Sequence, residues 1–168
     1  ALESGAEIIV QMDTDLSHAP EDIPILVRNL ETADVVIGSR YIKGGRSDNS
    51  WGFIRKCLSY FGNLYLRSIG GVHVYDATSG FKAFRRTVLE RVDLSAFRCS
   101  GFGFQAEFTR ACLEFGFVVV EQPIIFKDRA QGNSKMSFGI IFEALWKIPL
   151  YRIQRIKVNL LGWLIHRS

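Results

Sequence analysis

Cysteine is scarce in this chain, and what there is has the wrong spacing to be structural. Cys57, Cys99 and Cys112 are an odd number with no CxxC pair, which argues against a disulfide framework and against a zinc site. A reducing, cytoplasmic setting is expected. No run reaches 18 uninterrupted apolar residues, so no spanning helix stands out. A secretory leader needs an early basic segment and an apolar stretch, and Glu3 and Glu7 stand there instead. Internal repeats, low-complexity tracts and a second domain are also missing. The 168 residues are enough for one domain with a sizeable core.

The charge is present but unevenly spread. The net value of +4 is modest and makes no case for nucleic acid. Residues 1–39 carry eight acidic side chains against Arg28 alone, and residues 127–168 carry eight basic ones against Asp128 and Glu143. An acidic front suits cations; a basic, aromatic rear suits phosphates or an anionic membrane surface. A solvated surface would produce the same asymmetry.

The pattern of apolar residues predicts an α/β domain. Glu7–Met12 is a short β-branched run expected of a buried parallel strand. A polar loop, Asp13–Pro20, leads to a helix over Glu21–Thr32, with Ile23, Leu26, Val27 and Leu30 on one face. Asp34–Gly38 is a second strand, so the segment reads as a βαβ unit. After a polar loop at Lys43–Ser50, a helix is predicted over Trp51–Ile69. Ile54, Leu58, Phe61 and Tyr65 form its apolar stripe, and Arg55, Ser59, Asn63 and Arg67 a polar one. A short strand at Phe81–Phe84 and a helix at Phe104–Phe115, capped by Gly116, follow. Val118–Phe126 reads as paired strands or as one strand bent at Pro123. Lys127–Ser137 is a basic loop. Residues 138–168 read as mostly helical, broken at Pro149.

Asp13-Thr14-Asp15 offers two carboxylates just past a strand end, where open α/β sheets bind ligands. Mg²⁺ or Mn²⁺ uses one or two carboxylates and takes its remaining oxygens from phosphates and water. The rivals are a local turn and a phosphatase-type DxDxT loop, which would need a further acidic pair after a later strand; none is found. His18 fits a structural hydrogen-bonding role better than a metal ligand. Arg40 ends the second strand and is expected to face the same crevice, where a guanidinium can fork onto a phosphate. In Asp76–Phe81, Asp76 can orient a hydroxyl, act as a base or simply close an Asx turn; the residues alone do not separate these. Gln105 and Glu107 either contact a ligand or cap their helix. Arg129 and Lys135 lie in a basic loop able to close over a diphosphate, or merely to be solvated.

Taken in order, the blocks MDTDLSHAPEDIP (12–24), IGSRYIKGG (37–45), DATSGFKAFRR (76–86), GFGFQAEF (101–108) and EQPIIFKDRAQGNSKMS (121–137) resemble the family-2, GT-A-type glycosyltransferases. The likeness is strongest to their polyprenyl-phosphate mannose synthase group. It implies an α/β GT-A fold, Rossmann-like, with a mixed, mostly parallel sheet flanked by helices. It also implies a mannosyltransferase that moves mannose from GDP-mannose to a dolichyl or polyprenyl phosphate with a Mg²⁺ or Mn²⁺ cofactor. Asp13 and Asp15 then match the metal and diphosphate motif, with Ser17 beside them where relatives often carry Gln. Arg40, Arg55, Ser59, Thr78 and Ser79 match the surroundings of the acceptor phosphate, and Asp76 the same loop. Gln105 and Glu107 match the sugar-facing helix; Arg129 and Lys135 match the loop that closes on the donor phosphates. Relatives begin with a strand and a Pro-Thr-Tyr-Asn-Glu-like loop that hold the nucleotide. This sequence opens on Ala1–Ala6, so residues 1–168 are expected to form the C-terminal portion of one catalytic domain.

Because the acceptor has an apolar tail, peripheral attachment at the cytoplasmic face of a membrane is expected, with a possible membrane-anchoring subunit or segment. The apolar stripe of the 51–69 helix and the segment Tyr151–His166 are the candidate docking elements, and core packing is the competing assignment for each. Other expectations for the same blocks are a family-2 enzyme using another sugar nucleotide, such as UDP-glucose, and a non-catalytic binding module.

Overall fold

A computed structural model describes residues 1–48 and 52–127. The interfacial segment expected at 151–166, the helical character expected from 138 onward, and Arg129 and Lys135 lie outside the described residues. The elements run β1 (Ile8–Gln11), a 3₁₀ turn (Pro20–Asp22), α1 (Ile23–Asn29), β2 (Val35–Ser39), β3 (Arg46–Ser47), α2 (Phe53–Ser68), β4 (Lys82–Arg85), α3 (Arg86–Arg91), a 3₁₀ turn (Leu94–Ala96), α4 (Phe102–Glu114), β5 (Val119–Pro123) and β6 (Ile125–Phe126).

The main sheet has the order β1-β4-β2-β5. β2 and β5 are parallel, and β4 runs antiparallel to both β1 and β2. β1 and β2 are therefore parallel, as the βαβ reading requires, but they are not neighbours: β4 lies between them. The sheet is mixed, with helices against it, in agreement with the α/β expectation. All five residues of β2 are buried, because a central strand covered on both faces tolerates no polar side. Val35 and Ile37 join Phe84, Phe108 and Cys112 on one face. Val36 joins Leu26, Leu30, Phe81 and Ala83 on the other.

Reversal of β4 fixes the location of the site. The turn that enters β4 sits at the same rim as the loops that leave β1 and β2, since Gln11 and Ile37 both pair with Lys82.

Four expectations need correction. Val118–Phe126 is not one bent strand: β5 belongs to the main sheet, and β6 pairs with β3 in a separate two-stranded sheet. The 43–50 loop contains β3, a two-residue strand too short for any periodicity to reveal. Glu7–Met12, expected as a buried parallel strand, forms the edge strand β1, antiparallel to its neighbour β4 and with Ile8 40% exposed. Of the two assignments open for the apolar stripe of α2, docking and core packing, core packing does not hold. Ile54 is 75% and Phe61 60% exposed, while Asn63 and Leu66 are buried. Only Tyr65 of that stripe packs against the core. The segment α3 had no counterpart in the sequence reading, being a six-residue helix without a capping signal.

Candidate functional site

The loop after β1 is held tightly at its base and left open at its tip. Ser17 and His18 are buried. The Ser17 N–H donates to Asp15 Oδ1 at 3.1 Å, forming an Asx turn, and the Ser17 hydroxyl donates to the same oxygen. Leu16 sits at φ 63°, a left-handed conformation that costs a non-glycine residue about 1 kcal/mol. The ring of His18 is sandwiched near Phe81 and Phe126, with centroids at 5.0 and 5.1 Å. Its Nδ1 accepts from the Asp13 N–H at 3.3 Å. Burial lowers the His18 pKa, with the Asp13 charge opposing. His18 is thus a neutral acceptor that anchors the loop, the structural role expected of it.

The Asp13 side chain is half exposed. Its carboxylate rests on Gly80: a Cβ there would lie 3.0 Å from each carboxylate oxygen. This contact joins the loop after β1 to the turn before β4, two segments 67 residues apart in sequence. No cluster of three or more His, Cys, Asp or Glu suited to a metal occurs among the described residues. Two carboxylates, that of Asp13 half exposed, are the donor type for a Mg²⁺ or Mn²⁺ that takes most of its shell from phosphate and water, and would not suit an all-protein cage.

Arg40 and Asp76 form the second part of the site. Arg40 Nε and Nη2 donate to Asp76 Oδ2 and Oδ1, both at 2.7 Å, and the Arg40 N–H donates to Oδ2 at 3.0 Å. Both side chains are buried. Burial disfavours the Arg40 charge, but the Asp76 carboxylate and its hydrogen bonds outweigh it and raise the pKa. Arg40 Nη2 also reaches Thr78 Oγ1 at 3.2 Å, and Asn63 Nδ2 donates to that oxygen at 3.0 Å. The Tyr41 hydroxyl donates to Ser59 Oγ at 2.6 Å. Strand β2, the 76–80 turn and α2 are laced together by this network.

Ser79, expected beside an acceptor phosphate, is buried and donates to the Gly38 carbonyl at 2.6 Å; it ties the turn to β2. Arg40, expected to fork onto a phosphate, spends its fork on Asp76. Arg55 is the third residue of α2. Gln105 and Glu107 diverge. Gln105 Oε1 accepts from Lys82 Nζ at 2.7 Å, toward the sheet, while Glu107 accepts from the N–H groups of Arg98 and Cys99 at 3.0 and 2.9 Å.

Three participants were not singled out by sequence reasoning. Glu121 accepts from the N–H groups of Tyr75 and Asp76 at 2.8 and 2.9 Å, which fixes the start of the turn. An acidic residue within the apolar run 118–126 was the available signal. Asn63 stood in the polar stripe of α2, with nothing in its spacing to mark it as buried. Lys82 is fully buried, and burial pushes its ammonium down to about 7, with Asp76 opposing.

A family model described as Glycosyl transferase family 2 matches residues 2–93. An undecaprenyl-phosphate mannosyltransferase of Micrococcus luteus is 44% identical over 144 residues, 86% of this chain and 59% of the relative. A polyprenol monophosphomannose synthase of Mycolicibacterium smegmatis is 44% identical over 154 residues, 91% of this chain and 58% of the relative. A dolichol-phosphate mannosyltransferase of Pyrococcus furiosus is 37% identical over 158 residues, 91% of this chain and 42% of the relative. The chain therefore spans less than two thirds of the length of these curated relatives.

Proposed function

Because the chain belongs to glycosyl transferase family 2, we propose that the protein transfers mannose from GDP-mannose to a polyprenyl phosphate, with inversion at the anomeric carbon. The observation that carries this reading is the contact of Asp13 with Gly80. It unites the carboxylate pair suited to a metal diphosphate with the turn bearing Asp76 and Thr78. The names of the relatives, all mannosyl transferases or synthases acting with polyprenol-type lipids, support the choice of sugar and acceptor.

In this reading Asp13 and Asp15 would hold a Mg²⁺ or Mn²⁺, which would supply positive charge to the departing GDP. Ser17 fixes the Asp15 rotamer. Gln105 faces the sugar, and Arg129 and Lys135 contact the donor phosphates. The acceptor phosphate is received beside Arg55, Ser59 and Thr78. Its nucleophilic oxygen is already ionised at neutral pH, so no strong base is required. Asp76 keeps Arg40 charged and oriented rather than removing a proton. No helix among the described residues is long and apolar enough to cross a membrane. The outward Phe53, Ile54 and Phe61 of α2 suit interfacial docking that delivers the lipid.

Incubation of the intact protein with labelled GDP-mannose, polyprenyl phosphate and Mn²⁺ should move label into the organic phase. Transfer from UDP-glucose but not from GDP-mannose would overturn the donor assignment.

A further inference from the structure

A buried lysine in the middle of a sheet requires a reason. Lys82 opens β4, is fully buried, and pairs across the sheet with Gln11 and Ile37. Burying an ammonium costs several kcal/mol before compensation, and an apolar replacement of similar volume is often neutral or stabilising. Burial brings its pKa to about 7, against the opposing influence of Asp76, Cys112 and Asp13 and in the same sense as Arg40. Fold stability therefore does not account for a lysine here; its partners do. The ammonium donates to the Ser79 carbonyl and to Gln105 Oε1 at 2.7 Å.

We propose that Lys82 is a positioning residue for the donor side of the site, tying the Ser79–Gly80 backbone to the Gln105 side chain. The inference rests on the donor reading above. One arm acts through the turn. The Ser79 carbonyl leads directly into Gly80, the surface on which the Asp13 carboxylate rests with no spare space. Fixing that carbonyl fixes the floor under a candidate metal ligand. The other arm acts on α4. Thr109 Oγ1 already pins the backbone there, lying 2.9 Å from the Gln105 carbonyl and 3.4 Å from that of Ala77. Lys82 adds the side chain, selecting one orientation of the Gln105 amide. A flexible stem ending in a compact donor can serve two acceptors from two elements. No neutral side chain of that length carries the same donors.

The role acts through other residues, so the readout is ligand binding on two sides. In calorimetry on the intact protein, Lys82→Met should weaken binding of GDP with Mn²⁺ by about tenfold or more, the scale at which outer supports of metal ligands act. Binding of a short-chain polyprenyl phosphate should change by less than about twofold, because Arg40, Asp76 and Thr78 keep their own partners. Lys82→Gln, which retains an N–H donor, should recover part of the loss; it also replaces Lys82→Met if circular dichroism finds that variant unfolded. Equal losses for both ligands would mean general loosening and would overturn the proposal, as would unchanged GDP binding. Failure of the unsubstituted protein to bind GDP with Mn²⁺ would instead overturn the donor reading, and this role with it.

Discussion

The two halves of the site are built on opposite plans. Around Arg40 and Asp76 the side chains are cross-linked: a buried bidentate ion pair, a backbone donor, buried Asn63, and half-buried Thr78 and Glu121. Around Asp13 the loop is anchored at its base by His18 and Ser17 and rests on Gly80, with a left-handed Leu16 at its exposed tip. The first half is organised before any ligand arrives. The second presents its carboxylates on a more exposed loop, where the proposed cation and diphosphate would complete the geometry. If the proposed function holds, the fixed half faces the acceptor and the adaptable half the donor, which suits a nucleophile that needs no activation and a leaving group that needs charge compensation.

This contrast has measurable consequences. Removing the carboxylate of Asp76 strands a buried guanidinium. Asp76→Ala should therefore cost about 3–5 kcal/mol in denaturant unfolding; a loss below 1 kcal/mol would mean that the network is not preorganised. Asp13→Ala should do the reverse. Stability should stay within about 0.5 kcal/mol, while Mn²⁺-dependent GDP binding, followed by calorimetry, is lost. Retained binding would remove the metal assignment. On α2, Ile54→Ser combined with Phe61→Ser should leave the melting temperature nearly unchanged, since both side chains are already exposed. Sedimentation with anionic vesicles should fall by about tenfold or more, from apolar burial of about 1.5 kcal/mol per side chain. The smallest effect concerns pH. The folded pKa of Lys82 is about 7, far below its ordinary 10.5. Below pH 7 both folded and unfolded chains hold the proton, and the penalty of burying it is complete. Between these values the folded chain releases a proton that the unfolded chain keeps, so stability rises with pH. A gain of about 1–2 kcal/mol from pH 7 to 9 is expected, and Lys82→Met should remove it.

Much of this arrangement was legible in the sequence. The β-branched run before Asp13, the apolar face of α1 and the glycine after α4 follow from periodicity and capping, and the structure has elements at each. The carboxylate pair was readable because it sits at a strand end. Partners were not readable. Arg40 and Asp76 are 36 residues apart, and nothing local says that one neutralises the other. The stripe on α2 illustrates the converse limit. Periodicity found Ile54, Leu58 and Phe61 on a common face but gave no sign that this face points outward. Asn63, on the face read as polar, is buried against Thr78, and Leu66, outside the predicted stripe, enters the core. A hydrophobic pattern reports only that a face is apolar, and both a core and a lipid surface satisfy it.

The reversed β4 also divides the molecule's tolerance to change. At the end of the sheet away from the candidate site, the Arg85 N–H donates to the Asp34 carbonyl, the Arg86 N–H to that of Glu7, and the Asp34 N–H to that of Val118. That border combines backbone pairing with structural side-chain bonds, Asp34 Oδ2 accepting from the Val118 N–H and the Arg85 guanidinium donating to the Ala33 and Leu30 carbonyls. The candidate site lies at the opposite border, where chain entries and exits coincide. Peptide insertions or reporter fusions near Thr32 or Phe115 would thus lengthen connections on the inert side, while an insertion of equal size near Leu16 or Ala77 would pull apart the meeting of Asp13 and Gly80.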